Sequence, residues 1–308
     1  MSGPAPEGEY VSIDLDDVEA FREAGRREAA AWPRALSHLP SGTYESVPVP
    51  PESGFDELMV YRPDGASGDL PVFVNLHGGG FVTGDWQSDD PYCRLLCDAT
   101  GVAVVNVDYQ LAPEHPFPGA VEQTYALLDW LARDGALVGV DGGRVAVGGH
   151  SAGGNLSAAA CLLATRLGGP RTRGLIVDYA PLDLVTPPRD KPEATAPLDP
   201  DLAELALATG EAFNAWYLPD PAMGHDPLAS PVLATDLAGL PPTLVITAEL
   251  DVLRAEGDLF AERVAAAGVA VEHVTFQGAS HGFTHVGDEA TAAQAWDRMA
   301  AFLRRVLA

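Results

Sequence analysis

Four short stretches hold the residue types that acyl-transfer chemistry needs. Gly149-His150-Ser151-Ala152-Gly153 sets a serine between glycines two positions away on each side. A serine hydroxyl attacks a carbonyl only when a base takes its proton and the chain presents it clear of the fold. A sharp turn from a strand into a helix does the presenting; the glycines are required because a Cβ there would strike the neighbouring strand or helix. The helix N-terminus behind the serine adds partial positive charge near the reacting oxygen. In His77-Gly78-Gly79-Gly80-Phe81, three successive glycines leave bare N–H groups that can point at an oxygen becoming negative. The base must come from eight histidines, His38, His77, His115, His150, His225, His273, His281 and His285. His281 is the best placed, in the glycine-flanked loop Gly278-Ala279-Ser280-His281-Gly282-Phe283; His273 falls inside a strand and His285 where the loop turns into a helix. Asp251 is the candidate to hold one ring nitrogen of His281, fixing its tautomer and stabilising the imidazolium that forms.

The elements that must position these groups alternate. Short β-prone runs fall at Tyr44–Val49, Glu57–Tyr61, Val72–Leu76, Ala103–Val107, Val145–Gly148, Leu175–Asp178, Thr243–Ala248 and Val271–Phe276. Helical stretches separate most of them, at Pro91–Ala99, Ala120–Ala132, Ala152–Leu167, Ala255–Ala267 and Glu289–Leu307. Strand alternating with helix from Val72 onward predicts an α/β chain with an eight-stranded, mostly parallel sheet flanked by helices. Val72–Leu76 and Ala103–Val107 are nearly all apolar, as strands covered on both faces should be. Each of the four stretches then follows a strand, at the carboxyl edge where open α/β sheets bind ligands.

Two intervals stand outside the alternation. Residues 1–42 read as amphipathic helices, with Leu15, Val18 and Phe21 at helical spacing. Residues 186–230 interrupt the core, which occupies 43–185 and 231–308. They carry Leu202, Leu205, Ala206, Thr209, Phe213, Trp216 and Tyr217 at i, i+3, i+4 spacing, one helix with an apolar face. The two readings are plain packing and a cap over a pocket. The cap reading makes Phe81, Phe213, Trp216, Tyr217 and Phe283 candidates for the substrate pocket.

Composition excludes several function classes. The chain has 308 residues, 47% hydrophobic and 20% charged, which allows a large core and excludes wholesale disorder. Acidic residues number 44 against 18 basic ones, a formal charge of −26. Such a field opposes approach to nucleic acid and to anionic membrane. Lys191 is the only lysine, a bias that fits either salt adaptation or a GC-rich genome. Cys93, Cys97 and Cys161 make no disulfide framework, and no ligand set shows zinc or calcium spacing, so neither metal nor cofactor is expected. Nucleotide-binding glycine motifs are missing too. Met1–Tyr10 holds no apolar signal region and no run is long enough to span a bilayer, so the expected location is cytoplasmic.

The serine, aspartate and histidine come in the chain order of α/β-hydrolases. Together the motifs resemble the hormone-sensitive-lipase-like (bacterial family IV) carboxylesterases of that superfamily. His77-Gly78-Gly79-Gly80-Phe81 is similar to the family's oxyanion motif, and Gly149 to Asn155 to its nucleophile elbow. Tyr109-Gln110-Leu111-Ala112-Pro113-Glu114 is similar to its Tyr-Arg-Leu-Ala-Pro-Glu segment, with Gln110 in place of Arg. Asp251-Val252-Leu253-Arg254 and His281-Gly282-Phe283 are similar to its acid and base motifs. The resemblance runs from about Asp56 to the C-terminus. It implies Ser151 as nucleophile, His281 as base, Asp251 as its partner, and oxyanion donors on Gly79, Gly80 and Ala152. It further implies a cap built from the N-terminal segment and the insertion, and hydrolysis of short-to-medium acyl esters. His77 would position its loop and Asn155 would be structural. A homodimer through an edge strand or the last helix is common in the family.

His150 departs from the family, which usually carries an acid before the serine. It is either a neutral replacement or a titratable neighbour that alters the activity-versus-pH curve. Two other functions share the scaffold: an amide or lactone hydrolase or a lyase acting on a natural product, and a small-molecule receptor without catalysis. The complete Ser151, Asp251, His281 set favours the enzyme.

Overall fold

The structure, a computed structural model, describes residues 14, 16–31, 34–36, 44–191 and 200–308. Met1–Tyr10, Leu15 and His38 lie outside the described residues, as does the side chain of Leu202. Among the described residues the chain forms α1 (Val18–Ala31), β1 (Tyr44–Pro48), β2 (Glu57–Tyr61), β3 (Leu70–Leu76), α2 (Trp86–Thr100), β4 (Ala103–Val107), α3 (Gly119–Asp134), β5 (Val140–His150) and α4 (Ala152–Leu167). Then come β6 (Gly174–Asp178), α5 (Pro200–Tyr217), β7 (Thr243–Leu250), α6 (Arg254–Ala266), β8 (Val271–Ser280), α7 (Phe283–Val286) and α8 (Glu289–Val306).

The eight strands make one sheet in the order β1-β2-β4-β3-β5-β6-β7-β8. β1 pairs antiparallel with β2, and β2 antiparallel with β4; every other pairing is parallel. Side chains alternate between faces along each strand. Val72, Val74 and Leu76 therefore join one core layer with Leu127, Leu131, Leu156, Phe260 and Val264 from α3, α4 and α6. Phe73 turns to the other layer, with Leu96 of α2 and Trp296, Met299 and Phe302 of α8. Complete burial of a side chain such as Phe73 or Leu76 contributes about 2–3 kcal/mol of transfer free energy. The carboxyl edge of the sheet is thus held by two rigid layers.

α2 begins at Trp86, five residues before the expected start at Pro91. The Asp85 side chain accepts from the Ser88 N–H at 3.0 Å and caps the helix there, and Asp89 in its first turn suits the positive end of the helix. Cys93 and Cys97 share its buried face. α1 lies against α5: Phe21 meets the rings of Phe213 at 5.5 Å and Trp216 at 5.0 Å. Arg22 anchors α1 below, its Nε donating to Val82 O at 2.9 Å and its guanidinium to Ala112 O at 2.8 Å, with Glu114 beside it. Among the described residues no helix is long and apolar enough to cross a membrane.

Candidate active site

Ser151 stands between β5 and α4 with φ +51° and ψ −119°, a conformation that costs a non-glycine residue on the order of 1–3 kcal/mol. The surroundings over-determine it. Its N–H donates to Asp178 O at 2.8 Å, and its carbonyl accepts from the Gly154 and Asn155 N–H groups. The flanking glycines are forced by backbone, since a Cβ on Gly149 would lie 2.2 Å from Leu76 O and one on Gly153 2.0 Å from the same oxygen. Asn155 ties α4 to the ends of the insertion, donating to Pro181 O at 2.7 Å and to Ala229 O at 2.9 Å.

The loops after β7 and β8 bring the acid and the base to that serine. His281 Nε2 lies 3.1 Å from Ser151 Oγ, and His281 Nδ1 lies 2.8 Å from Asp251 Oδ2. Asp251 is buried, and its other oxygen accepts from the Leu253 N–H at 3.0 Å. A carboxylate held this way keeps Nδ1–H as donor and leaves the Nε2 lone pair toward the hydroxyl. Partial desolvation of the imidazole works against its charged form, but the Asp251 charge and hydrogen bond outweigh it, so the His281 pKa lies above the ordinary value.

The glycine loop after β3 closes the third side. Gly79 and Gly80 take φ of +123° and +60°, and Gly79 O accepts from the N–H groups of Val82 and Thr83. Among the described residues no backbone acceptor takes the amides of Gly79, Gly80 or Ala152, the last being the first residue of α4. The Tyr109 hydroxyl donates to His77 O at 3.0 Å and its ring stacks on His77 at 4.1 Å; Ala112 N–H donates to Phe81 O at 2.9 Å. The Tyr109–Glu114 segment therefore props the glycine loop from below.

These groups open on a cavity of about 520 Å³ whose wall is mostly apolar. Gly80, Phe81, Ser151, His281 and Asp251 form one side and Leu205, Thr209, Gly210 and Phe213 of α5 face them. Of the five aromatic candidates, Phe81 and Phe213 line the cavity among the described residues. Trp216 and Tyr217 do not: Tyr217 is buried against Phe81, rings 3.8 Å apart, and Trp216 packs on Phe21. Nor does Phe283, which sits in the opposite core layer against Phe276 and Tyr179. Of the expected stripe on α5, Leu205, Ala206, Thr209 and Phe213 line the cavity, while Trp216 and Tyr217 face the core.

Several residues near the site have partners that no sequence signal revealed. Lys191 reaches the cavity wall with its Nζ 2.5 Å from Glu256 Oε2 and 3.0 Å from Asp183 O, and both side chains are buried. Burial pushes the Glu256 acid up to about 7, against the pull of Lys191. His150 turns away from the cavity, its Nδ1 2.7 Å from Asp178 Oδ2. The parallel register sets His150 beside Asp178, the one hint available once β5 and β6 are known to be neighbours.

Residues 73–285 match the sequence profile of a family described as the alpha/beta hydrolase fold. Sheet order, nucleophile turn and the Ser-His-Asp arrangement define the same class. Within it the chain belongs to the hormone-sensitive-lipase-like family. It is similar to carboxylesterase NlhH of Mycobacterium tuberculosis, 38% identical over 268 residues that cover 82% of this chain and 81% of that one. Esterase LipI of the same organism is 37% identical over 314 residues, covering 96% and 91%. Among solved structures, a Pyrobaculum calidifontis esterase superposes with a TM-score of 0.81 at 33% identity, covering 96% of each chain. A thermostable esterase from Pseudomonas putida ECU1011 gives 0.79 at 30% identity, covering 97% and 93%.

Proposed function

We propose that this chain is a serine carboxylesterase in which Ser151 attacks, His281 moves the proton and Asp251 orients His281, acting on short-to-medium acyl esters. The observation that carries the reading is the unbroken series Ser151 Oγ, His281 Nε2, His281 Nδ1, Asp251 Oδ2, with steps of 3.1 and 2.8 Å, at the wall of a largely apolar cavity. As Oγ adds to the ester carbonyl, Nε2 takes the hydroxyl proton. The carbonyl oxygen becomes an oxyanion and collects the N–H groups of Gly79, Gly80 and Ala152. Collapse expels the alcohol, which leaves with the proton from His281. Water then repeats the steps on the acyl-enzyme, releasing the acid and restoring the serine. α1 and α5 act as the cap, keeping the cavity apolar.

The test is Ser151→Ala. It should lower kcat on a 4-nitrophenyl ester by roughly 10⁴–10⁶-fold while the fold persists. A fluorophosphonate probe should label Ser151 in the parent alone. Retention of most esterase activity by Ser151→Ala overturns the assignment, and faster turnover of matched amides than of esters overturns the substrate class.

A further inference from the structure

Behind the nucleophile turn, outside the cavity wall, three elements bring together a second cluster. Asp89 of α2, His150 at the end of β5 and His285 of α7 each offer one donor atom, and these atoms lie within 4.8 Å of one another. Asp89 is 3% exposed and His150 4%. We infer that Asp89, His150 and His285 form a binding site for one divalent transition-metal ion of the zinc(II) class, separate from the ester-hydrolysing centre.

The ring orientations point to it. His150 Nδ1 is engaged by Asp178 Oδ2 at 2.7 Å. His285 Nδ1 is engaged by Thr284 Oγ1 at 2.9 Å and by the Tyr179 hydroxyl at 3.0 Å. Both imidazoles therefore turn Nε2 toward Asp89, at 4.0 Å for His150 and 3.3 Å for His285. A metal-bound histidine is held the same way: the outer nitrogen donates to an oxygen, which fixes the tautomer, and the inner lone pair is left for the ion. Asp89 is steadied in turn, its Oδ2 accepting from Asn75 Nδ2 at 2.8 Å, which also reaches Asn106 Oδ1.

Two further observations suit a cation. His285 Nε2 is buried and makes no well-aligned hydrogen bond, with Asp89 Oδ1 3.3 Å away. In the tautomer with Nδ1 donating to a neighbouring hydroxyl, that nitrogen turns its lone pair toward the carboxylate, an arrangement that a cation between them would satisfy. The cluster also buries two carboxylates, Asp89 and Asp178, and among the described residues neither pairs with an arginine or lysine. One divalent ion between the imidazoles would offset that charge and its desolvation cost. Two imidazole nitrogens and a carboxylate suit zinc better than magnesium or calcium. Zinc bonds of about 2.0–2.2 Å require the set to close slightly, by rotation of the side chains. The ion would tie α2, the nucleophile turn and the helix that follows His281, without touching substrate.

The test uses the full chain stripped of metal and given zinc(II). After gel filtration about one zinc per chain should remain, and zinc at a hundredfold excess over Kd should raise Tm by about 4 °C. Crystals grown with zinc should show an anomalous peak at the zinc edge between Asp89, His150 and His285. His285→Gln should lose the retained zinc. No anomalous peak at that position overturns the inference, as does equal zinc retention by His285→Gln, which would mark adventitious binding and leave protons to balance the buried charge. If His285→Gln fails to fold, the anomalous map decides alone.

Discussion

Gly153→Ala tests how the two halves of the oxyanion site are held in register. The added Cβ would stand 2.0 Å from Leu76 O, 2.6 Å from Leu76 C and 2.6 Å from His77 O. All three are backbone atoms, so no side chain can rotate away. Ordinary contact begins near 3.4 Å, so the first turn of α4 must back off the end of β3 by more than 1 Å. Ala152, one residue earlier, moves with it, while Gly79 and Gly80 stay with β3. A misplacement of about 1 Å costs about 10²-fold in rate, and complete loss of one oxyanion donor costs about 10²–10³-fold, or about 2.7–4 kcal/mol. We expect kcat to fall by about 10²-fold with KM little changed, because the cavity wall is untouched. Overpacking should destabilise the fold by about 1–3 kcal/mol. The assay is 4-nitrophenyl ester hydrolysis well below Tm, with kcat normalised to serines titrated by a fluorophosphonate. A folded variant whose kcat stays within about threefold of the parent would refute the claim that this contact sets the amide geometry.

Two more predictions concern titration. His281 acts as base only when neutral, so kcat/KM should fall with acid through an apparent pKa above the ordinary 6.5, the direction its Asp251 partner imposes. The same raised pKa contributes stability that is full below the unfolded value and is lost as pH rises through the folded one; an acid limb centred below 6.5 would contradict the pairing. Lys191→Met strands Glu256, whose acid already sits near 7. Without the pull of Lys191 burial pushes that acid higher still, so above pH 7 the variant keeps a proton the parent has released, and destabilisation should grow by about 1.4 kcal/mol per pH unit. Thermal unfolding at pH 5.5 and 8.5 reads the difference, and a gap between parent and variant that is equal at both pH values would dismiss it.

The sequence carried the strands well because covered parallel strands are short apolar runs with little else to be. Glu57–Tyr61 and Ala103–Val107 occur with their expected bounds, and so does the helix Ala152–Leu167. Ends were harder: Val145–Gly148 extends back to Val140, and α2 starts at a capping aspartate that outweighs the discouraging Pro91. The spacing and chain order of Ser151, Asp251 and His281 pointed to one site, and the three meet within hydrogen-bond distance. What stayed hidden depends on pairs far apart in the chain. Asp89, His150 and His285 have no metal-like spacing, and the Lys191–Glu256 pair joins two segments that nothing local connects. The pocket aromatics failed for a related reason: periodicity says which residues of α5 share a stripe, not where along the helix the covering layer stops.

Phe213 rests directly on Gly80: a Cβ there would fall 2.1 Å from the nearest ring carbon. A residue that lines the cavity and a residue proposed to supply an oxyanion amide therefore share one contact. Broadening the substrate range by trimming Phe213 would also release a glycine whose backbone is free to wander, so selectivity and turnover cannot be evolved as independent traits in this scaffold. A breeder of variants would have to select for both at once.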